Sequence, residues 1–112
     1  MEMTKLSDQF SVCGQLQPVD LDEIKAQGFR SVLCVRPDDE AEDQPSFAQI
    51  EASARAKGLA TAYVPVDASG AQPGDHAAFA KAMAKLPGPV LAYCRSGQRA
   101  AKLWQTQQDA AA

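Results

Sequence analysis

Aromatic side chains make up only 6% of this 112-residue chain, and it carries one histidine and three cysteines. Sparse aromatics, with no stripe of arginine interleaved among them, exclude a surface that stacks single-stranded bases. A formal net charge of −3 excludes the basic footprint of a nucleic-acid or acidic-membrane binder. The lone His76 leaves no pair of imidazoles for zinc and no Cys-His or Ser-His-Asp constellation. It is expected to face solvent on a helix. Three cysteines as scattered as Cys13, Cys34 and Cys94 cannot build a disulfide framework. No apolar run approaches the roughly 20 residues of a membrane span. The start, Met-Glu-Met-Thr-Lys-Leu-Ser, has no apolar core of a signal peptide. A single cytoplasmic domain is expected, with no metal, no organic cofactor, no membrane and no nucleic-acid partner.

What is present alternates. Leu6 and Phe10–Cys13 flank a polar turn and predict an N-terminal hairpin. Apolar runs at Ser31–Val35, Ala62–Val66 and Val90–Tyr93 predict further strands, with Pro65 pushing the second toward a sheet edge. Between them lie helical patterns near residues 20–27, 46–57, 75–86 and 98–108. Asp20-x-x-Glu23 and Ser46-x-x-Gln49 read as capping boxes, and Asp75 as an N-cap. Such alternation predicts an α/β domain, a mostly parallel sheet of four or five strands with helices on both faces. In sheets of this kind the working edge is the carboxyl end of the strands. That edge should collect Gln15, Arg36, Asp67 and Cys94. The acidic run Asp38–Asp43 reads as a solvated loop, and Cys13 and Cys34 as core.

The most specific signal is Cys94-Arg95-Ser96-Gly97-Gln98-Arg99, directly after the strand Val90–Tyr93. A cysteine at a strand end, followed by a Gly-containing loop and a helix, faces converging backbone N–H groups and a helix N-terminus. With two arginines beside it, the arrangement is that of an activated thiolate and of a cradle for an anion carried on sulfur. The spacing is Cys-x4-Arg. Protein tyrosine phosphatases use Cys-x5-Arg, usually with Ser or Thr next, whereas here Ala100 stands where their arginine would fall. The shorter loop resembles that of rhodanese sulfurtransferases, in which a smaller ring suits one terminal sulfur atom.

Several further segments, Gly14-Gln15-Leu16, Gly28–Val32, Arg36–Glu40, Val64-Pro65-Val66 and Gly88–Arg99, resemble the small phosphatase-like domain of beta-lactamase-hydrolase-like proteins. The resemblance runs from about Leu6 to Trp104. It implies a dual-specificity-phosphatase-like fold, Cys94 as nucleophile and Arg99 as the anion-binding arginine. It also implies a sulfur context, since the fused partner domain in this family resembles persulfide dioxygenases. Two positions depart from the pattern. Tyr93 stands where a histidine often precedes the cysteine, and Ala100 replaces the hydroxyl residue that helps a phosphatase thiolate depart.

Three readings follow. In the first, Cys94 takes a sulfur atom from a small anionic donor, such as thiosulfate or glutathione persulfide, and passes it to a thiol or cyanide. Arg95 and Arg99 bind the donor, the amides of Ser96, Gly97 and Gln98 hold the sulfur, and Arg36 and Gln15 line the site. In the second, Cys94 forms a phosphocysteine, Arg99 grips the phosphoryl oxygens and Asp67 is the general acid, although Asp67 ahead of Ala68-Ser69-Gly70 reads at least as well as a turn aspartate. In the third, the domain binds anions without catalysis and docks a partner such as a persulfide dioxygenase.

Overall fold

The computed structural model describes residues 1–111. Five strands form one sheet: β1 (Met3–Ser7), β2 (Phe10–Cys13), β3 (Ser31–Cys34), β4 (Ala60–Tyr63) and β5 (Val90–Tyr93). Their spatial order is β1-β2-β5-β3-β4, with β1 antiparallel to β2 and every other pairing parallel. Four α-helices connect them: α1 (Leu21–Ala26), α2 (Phe47–Ala56), α3 (Pro73–Lys85) and α4 (Gln98–Ala111). The expected α/β architecture is the observed one.

Side-chain alternation along the buried strands divides the core in two. Phe10, Val12, Leu33, Val35, Val90, Ala92 and Cys94 point to the face covered by α3 and α4, where Phe79, Ala100 and Leu103 meet them. Cys13, Val32, Cys34, Leu91 and Tyr93 point to the opposite face, against Leu21, Ile24, Ile50 and Ala54. Fully burying side chains of this size contributes about 1.5–3 kcal/mol each, and the two layers hold β5 rigidly at the centre of the sheet. Aromatic packing reinforces the first layer: Phe10 meets Phe79 edge-on at 5.9 Å and stacks with Trp104 at 6.1 Å.

The helix starts differ in detail from the sequence expectation. Ser46 and Gln49 form the expected reciprocal cap, with Gln49 N–H donating to Ser46 Oγ and Ser46 N–H to Gln49 Oε1. The other two helical segments begin earlier. A 3₁₀ turn at Pro18–Asp20 precedes α1, and Asp20 accepts from Gln17 N–H at 2.8 Å instead of capping the helix. Likewise α3 begins at Pro73, and Asp75 accepts from Gln72 N–H at 2.8 Å. The two helix starts share one Gln-Pro-x-Asp device: proline fills the first helical position, where no N–H is needed, and the aspartate reaches back to a free donor. Strand β4 also lies two residues earlier than expected. The chain continues beside β3 as far as Val66, because Val64 and Val66 N–H donate to the carbonyls of Cys34 and Val35. Pro65, between them, needs no donor. His76 is half-buried on α3 instead of facing solvent.

Candidate active site

The parallel strands deliver their carboxyl ends to one edge, and the chain leaves each of them as a loop. Cys94 follows the central strand β5 and is 1% exposed; its N–H approaches the Cys13 carbonyl at 3.4 Å. The loop then turns over the sulfur. Gly97 N–H donates to Cys94 Sγ at 3.0 Å, and α4 starts at the next residue. Gly97 has φ +94°, a conformation that favours glycine, and a Cβ there would press to 3.3 Å from the Cys13 carbonyl oxygen. On the β2 side, a Cβ on Gly14 would lie 2.9 Å from the Arg95 carbonyl oxygen, the same oxygen that accepts from Gln15 N–H. Two glycines therefore let the end of β2 and the thiol loop touch backbone to backbone. The amide ring is narrower than the sequence suggests: Gln98 N–H donates to Ser96 Oγ at 3.4 Å, leaving Gly97 as the donor to sulfur.

Arg99 projects from the first turn of α4 and is held by three hydrogen bonds. Its Nη1 donates to Glu40 Oε2 at 2.6 Å and to the Val66 carbonyl at 2.9 Å, and its Nη2 donates to Glu40 Oε1 at 2.9 Å. A guanidinium has five N–H groups in a fixed plane. Those contacts leave Nε–H and the second Nη2 hydrogen, which form a side-on fork suited to two oxygens or an oxygen and a sulfur of an anion. Glu40 also accepts from Arg36 Nε at 2.9 Å, and Arg36 Nη1 donates to Gln15 Oε1 at 3.0 Å. Arg36 is 5% exposed, so its charge requires that carboxylate. The Arg99 hydrogen bonds, reinforced by those of Arg36, hold the Glu40 carboxyl below its ordinary value. The same pair holds the Arg99 guanidinium above its own, with a smaller contribution from the Cys94 sulfur.

Glu40 is the member of the candidate site that the sequence conceals, because residues 38–43 read as a solvated acidic run. The outer members of that run are exposed, but Glu40 is folded onto two arginines, and Asp38 Oδ1 accepts from Phe47 N–H at 2.8 Å. The available signal is the i,i+4 spacing from Arg36.

The remaining expected residues fall as follows. Gln15, Arg36, Cys94, Gly97 and Arg99 come together. Arg95 and Ser96 are exposed on the loop, and Gln98 is exposed at the start of α4. Asp67 follows Val66 at the same edge, but its Oδ2 accepts from both Ser69 N–H at 2.9 Å and Ser69 Oγ at 2.6 Å. Those bonds hold its carboxyl below the usual range. Tyr93, by strand alternation, points to the α1/α2 face, between Cys13 and Cys34 in the register of the neighbouring strands. Burial pushes the Cys13 thiol up to about 12 and the Cys34 thiol up to about 11. Cys34 Sγ instead donates to the Arg36 carbonyl at 3.2 Å, anchoring the start of that loop. Ala100 is wholly buried beneath the loop, in the same core layer as Cys94. No group of three or more His, Cys, Asp or Glu among the described residues could hold a metal ion, and no described helix is long and apolar enough to cross a membrane.

A thiol under a glycine turn, an arginine with two free N–H groups and a helix start are brought together at this edge, an arrangement that could hold an anion. Solved structures share its framework. A Neisseria meningitidis protein described as a phosphatase candidate is 35% identical, with a TM-score of 0.88 over 96% of this chain and 77% of its own. A Shewanella putrefaciens phosphatase candidate, 22% identical, has a TM-score of 0.80 over 92% of this chain and 64% of its own. The catalytic core of a Saccharomyces cerevisiae PP-IP phosphatase shares the fold at a TM-score of 0.65 and 9% identity, over 85% of this chain and 56% of its own. Beta-lactamase hydrolase-like proteins of Agrobacterium fabrum and Xylella fastidiosa are each 34% identical over 104 residues, 93% of this chain. The chain spans about a quarter of the length of those curated relatives, 24% in each case. The family described as "Beta-lactamase hydrolase-like protein, phosphatase-like domain" matches residues 2–111, and the chain belongs to that family.

Proposed function

We propose that this phosphatase-fold domain transfers sulfane sulfur through a persulfide on Cys94. The observation that carries the reading is the state of the site's acid. Asp67 Oδ2 accepts from both Ser69 N–H and Ser69 Oγ, which favours its ionised form and ties the carboxylate to its own turn instead of offering a proton to a poor leaving group. Sulfur transfer needs none. The Cys94 thiolate attacks the outer sulfur of a persulfide R–S–SH; the S–S bond breaks, Cys94–S–SH forms, and R–S⁻ leaves with the bonding pair. A second thiolate, or cyanide, then takes the terminal sulfur and restores the Cys94 thiolate, with no external oxidant or reductant. Gly97 N–H and the open fork of Arg99 would hold the transferred sulfur and the donor's negative charge. The six-residue spacing agrees, since a single sulfur atom needs a smaller ring than a phosphoryl group. A separate persulfide dioxygenase, or one fused in a longer chain, would be a fitting consumer of the product.

A second reading has the fold behind it: the family description and the structural neighbours are phosphatase-like. In that reading Cys94 attacks phosphorus, the Arg99 fork binds two phosphoryl oxygens, Asp67 protonates the leaving oxygen and water hydrolyses the phosphocysteine. The test is intact mass after treatment with thiosulfate or glutathione persulfide, set beside hydrolysis of an aryl phosphate. One added sulfur on wild type and none on Cys94→Ser is the expected result. Cys94-dependent phosphate release with no persulfide would overturn the first reading in favour of the second.

A further inference from the structure

Beside the thiol loop lies an open cavity of about 230 Å³, walled by the segment Ala68–Ala71 on one side and by Arg95, Ser96, Arg99 and Lys102 on the other. On a chain with a net charge of −3, this lining contains three cations and no carboxylate. Arg99 is offset by Glu40. Arg95 and Lys102 are exposed and belong to none of the ion pairs among the described residues. Lys102 is one turn beyond Arg99 on α4, and its Cα–Cβ bond tilts back toward the helix N-terminus and the loop. Three residues of helix separate the two anchor points by about 4.5 Å along the axis.

We propose that Lys102 holds a second anionic group of the donor, so that the site selects a carboxylate-bearing low-molecular-weight persulfide over an uncharged one. The proposal rests on the sulfur-transfer reading and adds the chemistry of the donor's remote end. The reacting sulfur would occupy the loop, under Gly97 N–H and the Arg99 fork. The leaving thiol then extends into the cavity, where a carboxylate meets Lys102, with Arg95 at the rim. Thiosulfate carries its charge on the terminal sulfur and on the oxygens of the sulfonate bonded directly to it, and is too short to span both anchors. Its turnover depends on the loop and on Arg99.

The experiment compares glutathione persulfide with 2-mercaptoethanol persulfide, which lacks a carboxylate, on wild type and Lys102→Ala. Lys102 is a surface residue, so the variant should fold, and thermal unfolding verifies it. The readout is the rate of sulfur addition to Cys94 by intact mass. A screened ion pair is expected to lower the ratio of second-order loading rate constants for the charged donor over the uncharged one by about fivefold. The wild-type preference should fall in the same direction at high salt. An unchanged ratio in Lys102→Ala would overturn this proposal while leaving sulfur transfer standing. Failure of both donors to load wild-type Cys94 would overturn the sulfur-transfer reading itself, and this one with it.

Discussion

Arg99 and Glu40 meet in a two-point ion pair, Nη1 to Oε2 at 2.6 Å and Nη2 to Oε1 at 2.9 Å, although 59 positions separate them in sequence. The pair fixes the plane of the guanidinium, and with it the direction in which the free N–H fork opens. Because Glu40 Oε1 also accepts from Arg36, one carboxylate sets the posture of two arginines carried by different elements. The candidate site is therefore assembled by the loop after β3 as much as by the loop after β5.

Replacing Glu40 with Gln should cost about 1–3 kcal/mol, because it leaves the buried Arg36 without a counter-charge. The folded-state carboxyl titrates below its unfolded value, so this stabilisation is present above roughly pH 4.3 and is lost as pH falls through the folded pKa. Urea unfolding of wild type and Glu40→Gln should thus show a gap at neutral pH that narrows in acid. A constant gap at all pH values would mean that the carboxylate's charge contributes nothing. Anion affinity should also fall in the variant, since Arg99 would keep its charge but lose its fixed plane.

The three free thiols should separate cleanly in alkylation. All three thiols are buried, so accessibility does not separate them; Cys13 and Cys34 have pKa values pushed up to about 12 and about 11 and stay protonated at neutral pH. Cys94 has an N–H donor to its sulfur and an arginine nearby. Iodoacetate, itself an anion, should label Cys94 first in the folded protein, and bound phosphate or sulfate should slow it. Labelling of Cys13 or Cys34 at a comparable rate before unfolding would contradict this geometry.

Gly14→Ala should be more damaging than its small size suggests. The new methyl would face the Arg95 carbonyl at 2.9 Å, a backbone atom that can move only by shifting the thiol loop. A loss of about 1–3 kcal/mol of stability is expected, together with reduced sulfur loading of Cys94 even where the variant is fully folded. Full activity in a folded Gly14→Ala would show that the loop tolerates displacement from the end of β2.

Much of this is legible in the chain. The alternation of short apolar runs and capped helical segments specifies the sheet and its layers, and the run Cys94–Arg99 marks the site, because local chemistry decides both. What cannot be read depends on contacts across the fold. Glu40 looks like its solvated neighbours until β3 and α4 bring Arg36 and Arg99 to it. Asp20 and Asp75 do mark helix starts, as the sequence implies, but each serves at the third helical position of a Gln-Pro-x-Asp start instead of the cap. The proline two residues earlier is the signal for that.

The sharpest separation of sulfur transfer from phosphate hydrolysis comes from Asp67. A general acid must carry a proton when the leaving group departs, and it contributes about 10²–10⁴-fold where it does so. Here two hydrogen bonds from Ser69 favour the ionised carboxylate, and the side chain is exposed at the loop surface. A persulfide's thiolate leaving group departs without a proton, so Asp67→Asn should change the rate of Cys94 persulfide formation by less than about twofold on that reasoning. Arg99→Ala, in contrast, removes the fork and should reduce loading about 10²-fold, in line with the loss of a principal anion-stabilising group. Ser69→Ala offers the converse probe: it removes the Oγ bond to the Asp67 carboxyl while the backbone N–H bond stays, and if the second reading were right it should raise turnover of an aryl phosphate. Rates measured by intact mass for sulfur and by released phenol for phosphate decide between them. An Asp67→Asn protein that loses phosphate-ester turnover a hundredfold and never gains sulfur would make Asp67 the acid of a phosphatase.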